Sequence, residues 1–412
     1  MRFFALRKSC GICLPLLTVG LGIAIPVTAQ QSAALVGIAN SPRLRAPFNS
    51  EQAQLGIEYS SVLLVRDGQK VTIVATLPDI VVPRNDGFWR VGVHSDCQIQ
   101  SMPEVAGDGE RKVEEWDEQL YVSRIGEAPQ IAASRFGEPQ DRCPAQMTED
   151  FKKGQDSRAG SPPPQYADFE PFDPCIYTSE VISAVTPNFT STREHAGNSA
   201  GCETRGFSWN DAASVTRIED GTRERYSVLV GDEGWAEYNR VLMESAKGLE
   251  DAGFNCGLSE ESLDMIDRLQ ERETGWYLTH EKGKWTAAAV YQPGNAACQF
   301  GGDLSLPLPR DVVGSGTLRP AWGTLAHQLP ELKDAFSSPA GDLVVAFTGT
   351  QVEVYLVQGQ RVGKRLLTVP AERVVMVQWA TGKYVDAWKS TLQEWQKKGL
   401  PPSVLRKLEG GN

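Results

Sequence analysis

The chain has 412 residues, 41% of them hydrophobic, and a formal net charge of −11 from 41 Lys and Arg against 52 Asp and Glu. That balance excludes a nucleic-acid-binding role, because contact with a phosphate backbone needs clustered Lys and Arg. At roughly 150 residues per domain, the length predicts two or three domains.

Residues 1–29 read as a cleavable export signal. Arg2, Arg7 and Lys8 form a basic start, Ile12 to Val27 is uncharged and apolar, and Val27-Thr28-Ala29 supplies a small-residue cleavage site after Ala29. Pro15, Gly20, Gly22 and Pro26 interrupt the stretch and argue against a permanent anchor. The expected location is periplasmic or secreted. Loss of those three cations would move the formal charge from −11 to −14. No later segment is long and apolar enough to span a bilayer, so no stable membrane span is expected after cleavage.

Residues 30–52, with Ser, Pro, Asn and Gln among scattered apolar residues, are expected to be a flexible leader. An N-terminal β-rich subdomain is expected over 53–136. Its first signal is Val62-Leu63-Leu64-Val65 and Val71-Thr72-Ile73-Val74 around Asp67-Gly68, a hairpin pattern because the turn needs residues that tolerate positive φ. Ile80-Val81-Val82 and Phe88 to Val93 flank Asn85-Asp86-Gly87 as a second pair. Residues 102–118 and 137–174 are rich in charge, Gly and Pro, cannot bury much apolar area and are expected to be loop and linker, with Leu120-Tyr121-Val122 a short strand between them. A boundary is placed near residue 165.

The remainder, 175–412, reads as an α+β domain. Val181 to Val185 and Phe189 to Thr192 are strand-like. Trp235, Tyr238, Leu242, Ala246 and Leu249 recur at helical spacing, with Gly253 as a stop. A second helix is expected from Ser259, with Glu260 and Glu261 in its first turn and Leu263, Ile266 and Leu269 on its buried face. Hairpins follow at Trp276–Thr279 with Trp285–Tyr291, and at Leu343–Phe347 with Val352–Val357; Val374 to Val377 is a further strand. A last helix carries Tyr384, Trp388, Leu392 and Trp395 on one stripe and ends at Gly399. Segments 62–89 and 343–379 share a run of hairpin, Thr-x-Pro, Val-Val and Trp, but hairpins recur at no constant interval, which argues against a propeller. The expected fold class is therefore α+β, mostly antiparallel hairpins and sheets with about three helices, disulfide-bonded.

Beyond the signal lie six cysteines: Cys97, Cys143, Cys175, Cys202, Cys256 and Cys298. An even number in an oxidising compartment points to disulfides, and pairing of neighbours (97 with 143, 175 with 202, 256 with 298) is the expectation, worth about 3–4 kcal/mol per bridge. The mature chain has no C-x-x-C or C-x-x-H spacing and only four histidines (His94, His195, His280, His327), so no metal or other cofactor is expected.

The sharpest chemical motif is Gly197-Asn198-Ser199-Ala200-Gly201, which fits G-x-S-x-G. No apolar helix follows it, so a Ser in a Gly-rich turn is the plainer reading and Ser199 is the candidate nucleophile only of an alternative, secreted-hydrolase function. Glu194-His195 would point to opposite faces of a strand. His280, at the rim of a hairpin turn, is expected to be solvated, as is the acidic run Glu114 to Glu118. Of the ten tryptophans, those in predicted elements (Trp89, Trp276, Trp285, Trp379, Trp388, Trp395) are expected in the core; Trp116 and Trp209, in polar loops, are the candidates for a surface that binds a protein or glycan. The leading expectation is a non-catalytic binding or structural protein of the envelope or secreted space.

Overall fold

The computed structural model describes residues 31–40, 57–103, 110–126, 130–131, 176–198, 210–253, 275–291, 298–314 and 316–400. Among these residues the chain is sheet-rich, with several antiparallel sheets and few helices.

The first sheet has the order β18-β1-β2-β3, with β1 at Ser32–Asn40, β2 at Glu58–Asp67, β3 at Lys70–Pro78 and β18 at Arg373–Thr381. Strand β1 lies within the expected flexible leader, yet it pairs on both sides and is buried along nearly its whole length. Ala33, Leu35 and Ala39 face one apolar layer, while Ala34, Val36 and Ile38 face another. A strand covered on both faces shows a continuous apolar run and no polar alternation, which is why its signal is easily passed over. The β2–β3 hairpin turns on Gly68-Gln69, with Gly68 at φ +60°, and a second Gly-Gln turn with Gly359 at φ +60° joins β16 (Gln351–Gln358) to β17 (Arg361–Pro370). Glycine at the first central position of a two-residue turn is what the right-handed twist of the flanking strands requires.

At Asp79 the chain leaves the first sheet for a seven-stranded one. It comprises two antiparallel runs: β4 (Ile80–Arg84), β5 (Gly87–Pro103), β6 (Glu110–Arg124) and the short β7 (Gln130–Ile131), then β8 (Ile176–Val185), β9 (Phe189–Asn198) and β10 (Asn210–Arg217). The runs are joined where Glu115–Asp117 lies parallel to Ile176–Thr178. Residues 110–118, expected as loop, are thus the first part of β6, held by a long ladder to β5. Backbone pairing to β5 along its length, and to β8 at Glu115–Asp117, outweighs the polar composition of that segment. The expected linker 137–174 lies outside the described residues.

Two helices follow, α1 (Tyr226–Val230) and α2 (Asp232–Asp251), then a three-stranded sheet of β11 (Trp276–Glu281), β12 (Lys284–Tyr291) and β13 (Phe300–Leu304). Tyr238, Leu242 and Ala246 of α2 are buried against this sheet, as their spacing predicts. The helix expected from Ser259 lies outside the described residues. Short helices α3 (Arg310–Val313) and α4 (Trp322–Gln328) lead to a four-stranded sheet of β14 (Asp334–Ser337), β15 (Leu343–Phe347), β16 and β17. The chain then returns through β18 to the first sheet and ends in α5 (Lys383–Lys398). Val385 and Leu392 form the buried stripe of α5, whereas Tyr384, expected on it, is 59% exposed.

The likeness between the two ends of the chain has a structural counterpart, shifted by one strand from its sequence placement. Strands β2–β3 match β16–β17: each pair turns on Gly-Gln, each second strand ends in Thr-x-Pro, and each is followed by a corner and a strand in a different sheet. Apolar layers join the first sheet to the seven-stranded sheet, the seven-stranded sheet to the third, and the fourth back to the first. The C-terminal β18 completing the N-terminal sheet closes this circuit, a device shared with β-propellers. Among the described residues, sheets of 4, 7, 3 and 4 strands show no fixed period.

Candidate functional site

The circuit encloses a cleft of about 440 Å³ at the place where the ends of β8, β11, β12, β14 and β18 converge with the segment after α3. Its walls include Trp285, Phe336 and Trp379, and its polar lining includes His280, Thr317, Arg319 and Gln378. Polar and apolar groups share the lining about equally, so the aromatic walls can hold an apolar body while the polar groups orient it.

His280 stands at the junction of the third and fourth sheets. Its side chain is only 9% exposed, and Nδ1 lies 2.7 Å from Asp334 Oδ2, on a carboxylate that is equally buried. The other oxygen of Asp334 accepts from the backbone N–H groups of Gly283 and Ala335, each at 2.8 Å. A carboxylate so engaged acts as an acceptor, so Nδ1 carries the imidazole proton and Nε2 is the ring nitrogen left for the cleft. Phe336 stacks on the ring with centroids 3.9 Å apart, and Trp285 meets it edge-on at 4.9 Å. The expectation of a solvated His280 is therefore corrected: the hairpin rim that would face water in an isolated β11–β12 pair is covered here by β14.

A His–Asp pair invites a search for a nucleophile, and two hydroxyls line the same cleft. Ser337 Oγ accepts from the Arg319 N–H at 3.0 Å and donates to the Thr317 carbonyl at 3.2 Å. Ser338 Oγ donates to Asp342 Oδ1 at 2.6 Å and accepts the N–H groups of Asp342 and Leu343, each at 3.1 Å. The Ser337 hydroxyl ties β14 to the segment after α3, and the Ser338 hydroxyl holds the β14–β15 connection. Gln378, from β18, contributes a buried Nε2 with no hydrogen-bond partner among the described residues.

Of the residues singled out from the sequence, His280, Trp285 and Trp379 line this cleft. Ser199 lies outside the described residues, as do Cys143, Cys175, Cys202, Cys256, Trp209, Glu260 and Glu261. Cys97 sits in β5 opposite Trp116 of β6, which places Trp116 in a strand, not the loop expected for it. Cys298 is disulfide-bonded. His195 is on β9, opposite Ser179 and Asp211, and His327 is exposed in the last turn of α4. Glu118, expected in a solvated acidic loop, is 3% exposed. Of the tryptophans expected in the core, Trp276 is fully buried and donates Nε1–H to the Glu224 carbonyl at 2.8 Å, while Trp285 and Trp379 are only partly buried and line the cleft. The His280–Asp334 pair is 54 residues apart in sequence, and no local pattern joins them.

No family model and no curated protein matches the chain. Among solved structures the chain is similar to a member of the DUF3298 family from Bacteroides fragilis, at 8% identity, over 54% of this chain and 91% of that one, with a TM-score of 0.25. A likeness that low carries no argument about activity. No helix among the described residues is long and apolar enough to cross a membrane.

Proposed function

We propose that this is an exported, non-catalytic binding protein whose ligand occupies the cleft at the junction of the four sheets. The observation that carries the reading is the cleft itself: about 440 Å³, walled by Trp285, Phe336 and Trp379, with the Ser337 hydroxyl engaged by the backbone of Arg319 and Thr317 and the Ser338 hydroxyl donated to Asp342 Oδ1. The His280 ring, held through Nδ1 by Asp334, leaves Nε2 for a polar group of the ligand. Gly316 supplies a test, because it lines the cleft and a Cβ built there meets nothing within 4 Å. A thermal-shift screen of small molecules on the mature protein is expected to give hits that the filling variant Gly316→Trp abolishes. Hits that persist unchanged in Gly316→Trp would place binding elsewhere.

The export component rests on the layout of residues 1–29, and mass spectrometry of the protein recovered from the producing cells is expected to find Gln30 at the N-terminus. The disulfide framework belongs to the same reading, and non-reducing peptide mapping is expected to pair Cys298 with Cys256.

The His280–Asp334 pair favours a second reading, a hydrolase using Ser199. A serine-directed fluorophosphonate labelling wild-type protein but not Ser199→Ala would establish it. Absence of labelling retires it.

A further inference from the structure

The charge of the cleft runs against the charge of the chain. Acidic residues outnumber basic ones 52 to 41, yet no Asp or Glu is among the described residues lining the cleft. Asp334, the nearest acid, stands behind His280 with both oxygens engaged. Arg319 is the one formally charged side chain among the described lining residues; it is exposed and makes no ion pair among them. Gln378 adds a buried amide N–H group without an acceptor. A buried donor is stabilised only when an acceptor reaches it, and a guanidinium free of carboxylates is preorganised for a planar anion.

From this, and resting on the cleft being the binding site, we infer that the ligand is a small organic carboxylate with an aromatic or similarly flat apolar body. Its acid group meets Arg319 and its body lies among Trp285, Phe336 and Trp379. The net acidity of the chain disfavours such an anion over its surface as a whole, so a carboxylate-free mouth with Arg319 favours it by contrast.

A matched pair of probes tests the inference: 1-naphthaleneacetate and its neutral isostere 1-naphthaleneacetamide, titrated calorimetrically against the mature protein. The acid is expected to bind at least about fivefold tighter than the amide at low salt, with the advantage shrinking as salt is added. Arg319→Gln is expected to remove the advantage of the acid, bringing its affinity down to about that of the amide measured on the same variant. Equal affinities in the wild type, or an acid preference that survives Arg319→Gln, overturn the anion inference while leaving the cleft as the site. Failure of both probes to bind, or binding that survives Gly316→Trp, overturns the site and the inference together.

Discussion

Glu237 is a buried carboxylate of α2, off the apolar stripe that the sequence marks, and replacing it with Gln is a sharp test of how the third sheet is held. The residue is 7% exposed, in α2. Oε1 accepts from the Ser305 N–H at 2.6 Å and from the Ser305 hydroxyl; Oε2 accepts from the Tyr226 hydroxyl at 2.8 Å and the Leu306 N–H at 3.1 Å. Each oxygen thus faces one backbone N–H. Hydroxyls can rotate to accept, but a peptide N–H cannot. Whichever way the amide of Gln is turned, its NH2 opposes the N–H of Ser305 or of Leu306. A buried N–H left unsatisfied costs about 1–3 kcal/mol, and replacing charge-assisted bonds by neutral ones adds about 1 kcal/mol, so a loss of roughly 2–4 kcal/mol is expected. Urea denaturation followed by tryptophan fluorescence reads it, since Trp276 packs edge-on against Tyr226. Burial pushes the Glu237 pKa up, but the Ser305, Tyr226 and Leu306 donors outweigh it and hold the value below the usual 4.5. The lowered value means its stabilisation is present above pH 4.5 and disappears as pH falls through the folded-state value, so the gap between wild type and Glu237→Gln is expected to narrow in acid. A Gln variant within about 0.5 kcal/mol of wild type at neutral pH would refute the reasoning.

The same substitution at Glu180 is expected to behave oppositely. Its oxygens face one backbone N–H, from Leu120, and one hydroxyl, Thr192 Oγ1 at 3.0 Å, which itself lies 3.1 Å from Ser214 Oγ. An amide fits that set, donating to Thr192 while Thr192 donates to Ser214. Burial raises the Glu180 pKa, so its contribution is full below pH 4.5 and fades as pH rises through the folded value; Glu180→Gln should match or exceed wild-type stability by pH 8, and a clear loss there would count against this account. Asp334→Asn should keep the amide oxygen on the N–H groups of Gly283 and Ala335 and turn its NH2 to His280, moving the imidazole proton to Nε2. Long-range ¹H–¹⁵N spectra of the imidazole report the tautomer, at a stability cost of about 1–2 kcal/mol; an unchanged tautomer contradicts the assignment. At Gly92 a Cβ would stand 2.6 Å from Tyr121 Oη and 2.9 Å from Asp79 Oδ1, so Gly92→Ala is expected to lose about 1–3 kcal/mol, and a neutral result in the same denaturation assay would show that the corner gives way freely.

Hairpins and amphipathic helices are the parts of this fold legible in the sequence, because their signals are local. The β11–β12 and β15–β16 pairs and the apolar stripe of α2 lie where turn residues and period place them. Strand β1 is not legible in that way, since burial on both faces removes the alternation that marks a strand. The first half of β6 is hidden for the converse reason: its side-chain composition is polar, and what makes it a strand is a backbone ladder to β5, a partner that composition does not announce. Tyr384 shows the limit of a stripe read at helical spacing, because one step around α5 separates it from the buried Val385.

The cleft illustrates a stronger limit. His280, Arg319, Asp334 and Gln378 come from four different parts of the chain, and none sits in a phrase that predicts chemistry. Each has an ordinary local reading: a hairpin rim, a loop cation, a strand start, a polar residue in a hydrophobic strand. They become a group only through the circuit, in which β18 returns to pair with β1 and brings Gln378 to the cleft that the third and fourth sheets line with His280. The His280–Asp334 bond is therefore at once a link between two sheets and the wall of a site. Substitutions that loosen it should change ligand affinity and stability together, whereas Arg319→Gln, at the exposed mouth, should change affinity alone. That separation of effects distinguishes a binding cleft from a mere seam between sheets.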